Sequence, residues 1–157
     1  IKGKRLAEKL AEEYADHFSI KIARCFAFVG PLLPLDSHFA IGNFIQAFLQ
    51  NQPVHVKNAN TWRSYLYAAD LMIWLWTILT RGESLRPYNV GSDKAINMAE
   101  LAKLVSPTGS ISINLGEESR YIPDITRAQT ELGLDVSVDL ATGIQKTIDF
   151  KKSPYSR

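Results

Sequence analysis

The stretch that most limits the fold runs from Ser19 to Val29. It is rich in β-branched and aromatic side chains, with Ile20, Ile22, Phe26, Phe28 and Val29 among them, and it lacks clean polar alternation. A strand buried on both faces, as in a parallel sheet, has this pattern. Gly30-Pro31 ends it, and Pro34 and Asp36 mark the loop that follows. On its other side, Leu6, Leu10, Tyr14 and Phe18 recur every four residues, with Arg5, Glu8, Lys9 and Glu12 on the remaining faces. That spacing predicts an amphipathic helix over residues 2–17.

The rest of the chain continues the alternation. Ile41, Phe44, Ile45, Phe48 and Leu49 have the spacing of a buried helical face, and Pro53 to Val56 suits a short strand. Asn58 to Thr61 is a polar turn, and Asp70 is placed to cap a helix from Leu71 to Thr80. That helix is apolar all round, which predicts burial in a core or between layers. Tyr88 to Gly91 and Ile111 to Leu115 are further strand candidates. Asn97 and Glu100 have capping-box spacing and predict a helix through Val105. Asp124 caps a helix that Gly133 stops, and Asp139 or Leu140 starts a last one through Phe150. The expected fold is α/β.

The 157 residues suffice for a sizeable core, and 46% apolar with 22% charged residues is globular composition. A formal charge of +2 without a basic stripe excludes nucleic-acid binding and an acidic membrane surface. The longest apolar run, Leu71 to Leu79, falls far below the ~20 residues of a membrane span. No signal peptide is expected, and the lone cysteine, Cys25, fits a reducing cytoplasm. Its apolar neighbours predict a buried, inert thiol. The chain starts at Ile1 in a helical pattern without an initiator methionine, which suggests a boundary within a longer protein.

Residue chemistry alone stops at an α/β domain. Lys4 has the setting of a solvated surface charge, and Arg63 could pack on Trp62 or Tyr65. His17, His38 and His55 lack metal-ligand spacing. No Gly-rich phosphate loop, nucleophile elbow or cysteine pair occurs.

Six segments in order go further. Ile1 to Glu8 resembles the helix after the catalytic tyrosine of extended short-chain dehydrogenases, with Lys4 at the lysine of Y-x-x-x-K. Arg24 to Pro31 resembles R-x-F-N-x-Y-G-P, and Trp62 to Asp70 resembles R-D-F-x-Y-V-x-D. Pro87 to Ser92 matches Y-N-V-G-S, Arg120 to Gly133 resembles R-x-x-x-D-x-x-K-A-x-x-x-L-G, and Leu140 to Ile148 resembles L-x-x-G-I-x-x-T-I. Together these resemble the carboxy-terminal part of the NAD-dependent epimerase/dehydratase family, in its dTDP-glucose 4,6-dehydratase-like form. Three departures bear on the sugar and the subfamily. Ala27 replaces the family's asparagine, Ser64 replaces its aspartate, and Asn58 to Arg63 lacks the glycines of its G-D-G-x-x-R turn.

The resemblance implies the last part of a Rossmann-type parallel sheet plus a small substrate-binding domain. Residues 1–33 would be the tail of the NAD-binding domain, and residues 34–157 mainly the substrate domain, with local returns to the Rossmann part. It implies transient oxidation of a nucleotide sugar at C4 by NAD. Lys4 would serve catalysis and the cofactor's ribose, beside a tyrosine one place before Ile1. Arg63 and Arg120 would grip the diphosphate, and His38 and Asn43 would line the nucleotide pocket. For Arg120 the residues leave open a salt bridge with Glu117, Glu118 or Asp124. The expected activity is 4,6-dehydration, with 4-epimerisation as the alternative and a non-catalytic binding module as a reading from another class. A homodimer through residues 2–17 is expected, and the chain alone is expected to be inactive.

Overall fold

The computed structural model describes residues 2–154. In chain order, helix α1 (Lys2–Glu12) leads through turns to strands β1 (Ile22–Cys25) and β2 (Phe28–Val29). Helix α2 (Ala40–Leu49) and strands β3 (Val54–Val56), β4 (Thr61–Arg63) and β5 (Leu66–Tyr67) follow. Next come α3 (Ala68–Arg81), β6 (Pro87–Val90), β7 (Ile96–Asn97) and α4 (Met98–Val105). The chain ends with β8 (Ile111–Ile113), β9 (Ser119–Arg120), α5 (Thr126–Leu132) and α6 (Leu140–Lys152).

Strand pairing is mostly parallel. β1 lies beside β6 in the register Ile22↔Pro87 to Cys25↔Val90, β2 beside β5, and β3 beside β8. β4 is central in a small sheet, parallel to β9 and antiparallel to β7. Parallel neighbours need long crossovers, and the helices supply them. The fold is therefore α/β, as the sequence predicts.

Two apolar clusters hold it together. One gathers Ile41, Phe44 and Ile45 of α2 with β3, α4 and the α6 residues Ile144 and Ile148. The other joins Trp74 and Ile78 of α3 to Tyr88 and Val90 of β6 and to α5. Trp74 is 1% exposed and donates its indole N–H to the Asp135 carbonyl at 3.0 Å, so the ring is buried without an orphaned donor. Truncating a buried aromatic of this size costs about 3–5 kcal/mol.

Helix signals in the sequence hold up where side chains meet their own backbone. Asn97 accepts from the Glu100 N–H and Glu100 reaches back to the Asn97 N–H, forming the capping box. Asp139 accepts from the Thr142 N–H, and Gly133 ends α5 at φ 67°. Asp124, expected as the cap of α5, stands one residue ahead of its N-cap, Ile125, and accepts from the Thr126 N–H.

Four expectations need correction. The helix expected over residues 2–17 stops at Glu12, after which the N–H groups of Glu13, Tyr14 and Ala15 bond three residues back in tight turns. Asp70 does not cap α3, which begins at Ala68. Its buried carboxylate accepts from the N–H groups of Ser137 and Val138, at 3.1 and 2.9 Å, and ties a distant segment to the helix. Helix α3 is covered on one side only, and Met72, Ile73, Trp76 and Leu79 are exposed. Cys25 is exposed at the end of β1, because β1 pairs only with β6 among the described residues.

Candidate functional site

In open α/β sheets, ligands gather at the carboxyl ends of the strands. Here those ends belong to β1 and β6. The chain leaves β1 at Phe26, whose N–H bonds the Val90 carbonyl at 3.0 Å. A strap of residues 119–124 crosses the same place. The Tyr121 ring stacks on Phe26 with centroids 4.7 Å apart, and the Asn89 amide donates to the Asp124 carbonyl at 2.8 Å. A Cβ on Gly91 would meet Pro123 Cγ at 2.8 Å and Phe26 Cβ at 3.2 Å, so only glycine lets the strap sit this close.

Helix α1 reaches this edge through one ion pair. The Arg24 Nε donates to Glu8 Oε1 at 2.9 Å and Nη2 to Oε2 at 2.6 Å, the two-pronged geometry in which a guanidinium fits a carboxylate. Arg24's hydrogen bonds hold the Glu8 carboxyl below its usual range, against some burial and with added help from the Arg24 and Arg5 charges. One turn earlier on the same side stands Lys4, an exposed residue. Partial burial pushes the Cys25 thiol up, and the Lys4 charge pulls it the other way. The residue as a whole is nonetheless exposed. Lys4 therefore lies within electrostatic reach of the carboxyl end of β1.

The two arginines come from neighbouring strands. Arg63 donates from Nη1 to the Trp62 carbonyl at 2.7 Å, with longer approaches to Ser119. Arg120 lies over the Trp62 ring, 5.5 Å from its centroid, and among the described residues no carboxylate pairs with it. The alternative salt bridge with Glu117, Glu118 or Asp124 is thus not formed. Arg120 is in register with Trp62. Successive strand residues point to opposite faces, so Arg63 and Arg120 leave the sheet on opposite sides. The arginine packed on an aromatic ring is Arg120, whereas Arg63 is fixed by a backbone carbonyl.

His38 and Asn43 stand apart from these groups. Both are exposed, His38 tilted against Phe39 with ring centroids 4.5 Å apart and Asn43 on the uncovered side of α2. No hydrogen bond or ring contact joins either to the arginines among the described residues.

The departures from the family pattern also have structural settings. The asparagines that stand where the family has glycines at the β3–β4 turn act through side-chain hydrogen bonds. Asn58 and Asn60 donate to the carbonyls of Glu117 and Gly116, at 2.9 and 2.7 Å, and anchor the loop before β9. Ala27 keeps only its carbonyl in play, accepting from the Leu66 N–H at 3.0 Å. Ser64 is buried, and its hydroxyl finds no partner.

Sequence reasoning missed the Glu8–Arg24 pair and the Phe26–Tyr121 stack, which join residues 16 and 95 positions apart. Only the four-residue step from Lys4 to Glu8 hinted at the first. Among the described residues no group of three or more His, Cys, Asp or Glu could hold a metal ion, and no helix is long and apolar enough to cross a membrane. The one residue expected to meet a nicotinamide cofactor, Lys4, is an exposed cation within electrostatic reach of the carboxyl end of β1.

Several known proteins are similar to this chain. UDP-glucuronic acid decarboxylase 2 of Arabidopsis thaliana is 30% identical over 164 residues, covering 98% of this chain and 37% of its own length. The chain thus spans little more than a third of that relative. An epimerase of Methanothermobacter thermautotrophicus superposes with a TM-score of 0.83 at 19% identity, over 94% of this chain and 48% of its own. The dTDP-glucose 4,6-dehydratase of Bacillus anthracis, solved in complex with NAD, gives a TM-score of 0.80 at 16% identity, over 92% and 48%. The parallel α/β fold corresponds to about half of each of these two structures. Residues 2–91, more than half of the chain, match the NAD dependent epimerase/dehydratase family, and the chain belongs to that family.

Proposed function

We propose that this chain is the carboxy-terminal part of an enzyme that uses NAD to oxidise a nucleotide sugar transiently at C4. The observation that carries this reading is Lys4 in a chain of this family, on the helix that the Glu8–Arg24 pair ties to β1. The 37% coverage of the decarboxylase relative supports a longer parent. The chain's own catalytic task is electrostatic. A tyrosine one turn before Lys4 would be the general base that takes the C4 hydroxyl proton, and its free pKa of about 10 is too high for that work near neutrality. The adjacent ammonium favours the phenolate and lowers that pKa. Lys4 would also donate to the ribose hydroxyls of NAD, a cofactor that when bound would supply the hydride acceptor for C4.

Arg63, which keeps free donors after its bond to the Trp62 carbonyl, is assigned to the diphosphate. Arg120 leaves the sheet on the opposite side and lies over Trp62, so it is given no share in that grip. His38 and Asn43 are assigned to the nucleotide pocket by family position, as exposed groups able to meet a ligand. The cluster around α3 and β6 is assigned to the NAD-binding domain and the cluster around α2, α4 and α6 to the sugar-binding one.

A C4 ketone admits three outcomes. Elimination of water across C5 and C6, followed by return of the hydride to C6 and a proton to C5, gives 4,6-dehydration, to which the motif series points. Loss of a C6 carboxyl as carbon dioxide gives decarboxylation, which the Arabidopsis relative favours because its similarity runs over 98% of the chain. Return of hydride to the opposite face gives 4-epimerisation. The full-length enzyme, incubated with dTDP-glucose, UDP-glucuronate and UDP-glucose and followed by proton NMR, distinguishes them. A 4-keto-6-deoxy sugar, a pentose or a C4 epimer names the activity. No turnover of any of the three, with NAD bound, overturns the reading and favours a binding module.

A further inference from the structure

We propose that Glu8 and Arg24 act as a positioning clamp that holds the Lys4 side chain at the carboxyl end of β1. The proposal rests on the reading of Lys4 given above for its consequence in catalysis, but not for its geometry. Two parallel bonds, 2.9 and 2.6 Å, fix the distance of α1 from β1 and also its rotation. Rotation is what needs fixing, because α1 buries no residue. Among the described residues this is the only side-chain hydrogen bond or ion pair from α1 to the rest of the molecule. Lys4 and Glu8 are one turn apart and share a face, so fixing the rotation of α1 fixes where Lys4 leaves the helix. The pair is too exposed, at 50% and 29% of the two side chains, to add much stability. Its effect is directional, and Glu8 and Arg24 are positioning residues.

Cys25 reports on the clamp, since its thiol senses the Lys4 charge. The measurement is the rate of alkylation by iodoacetamide as a function of pH. Lys4→Met removes a cation that favours the thiolate. It should slow the reaction roughly two- to threefold below the thiol's pKa, the size of one charge about 6–10 Å away in water. Glu8→Gln should slow it equally, and the double variant no further, because a released Lys4 no longer faces the thiol. The sign is decisive. Loss of the Glu8 charge alone would favour the thiolate and speed alkylation, so an unchanged or faster rate in Glu8→Gln overturns the clamp. An unchanged rate in Lys4→Met overturns it as well. Neither core cluster includes a residue of α1, so circular dichroism of the variants should keep the strand signal.

In the full-length enzyme, Glu8→Gln should lower kcat and leave KM for the nucleotide sugar unchanged. The acid limb of the kcat profile should move to higher pH, because a displaced ammonium no longer lowers the base's pKa. A purely structural pair would alter stability without moving that limb. If full-length Lys4→Met keeps its kcat, the catalytic reading of Lys4 fails, while the alkylation result still decides the clamp.

Discussion

A guanidinium that grips a diphosphate works best when its plane is set beforehand, and Arg63 meets that condition. Its Nη1 is held 2.7 Å from the Trp62 carbonyl, and the residue is half-buried. The phosphates do not change during C4 oxidation, so this grip acts equally in ground and transition states and shows in KM rather than kcat. Losing a charge-assisted pair costs about 1.5–3 kcal/mol, roughly ten- to a hundredfold. Steady-state kinetics of the full-length Arg63→Ala enzyme should show KM raised by that factor with kcat nearly constant. An unaltered KM in a folded variant would remove Arg63 from the site. Position also decided what could not be read at Asp70 and Cys25. Asp70 has a capping residue's type and place, yet its partners are 67 and 68 residues away. Cys25 has a buried residue's neighbours, yet sits on an uncovered strand.

Among the elements, α1 has the least cover. Leu6 and Leu10 lie one turn apart on it, 57% and 47% exposed, and Tyr14 in the turns beyond its end is 56% exposed, apolar surface that calls for a partner. A second copy of the chain is the proposed occupant, since a two-fold interface brings the same patch against itself. Light scattering at high concentration should give a dimer, and Leu10→Glu should convert it to monomer. A wild-type monomer that Leu10→Glu leaves unchanged rules this out. Amphipathic elements were legible because their spacing carries the information, as the buried face of α2 shows. Helix α3 was misjudged for the opposite reason. Apolar all round, it contains no sign of which side is covered, and packing buried Trp74 and Ile78 while leaving Trp76 and Met72 open.

At the scale of the molecule, the described residues form two apolar cores and one strand-end edge, with one lysine held near it. The 157 residues contain no Gly-rich turn to seat a dinucleotide pyrophosphate. The chain by itself should therefore bind NAD weakly and turn over no nucleotide sugar. Calorimetric titration checks this, and micromolar affinity would contradict it. By itself, the sequence determined the α/β class, the capping box at Asn97, the stop at Gly133 and the family motifs, because each depends on residues within a few positions of one another. The tertiary structure alone decided that Arg24 grips Glu8, that Arg120 rather than Arg63 covers Trp62, and that Asp70 ties down residues 137 and 138. Those contacts follow from parallel strand register and crossovers, which bring together residues whose separation along the chain has no periodic signature.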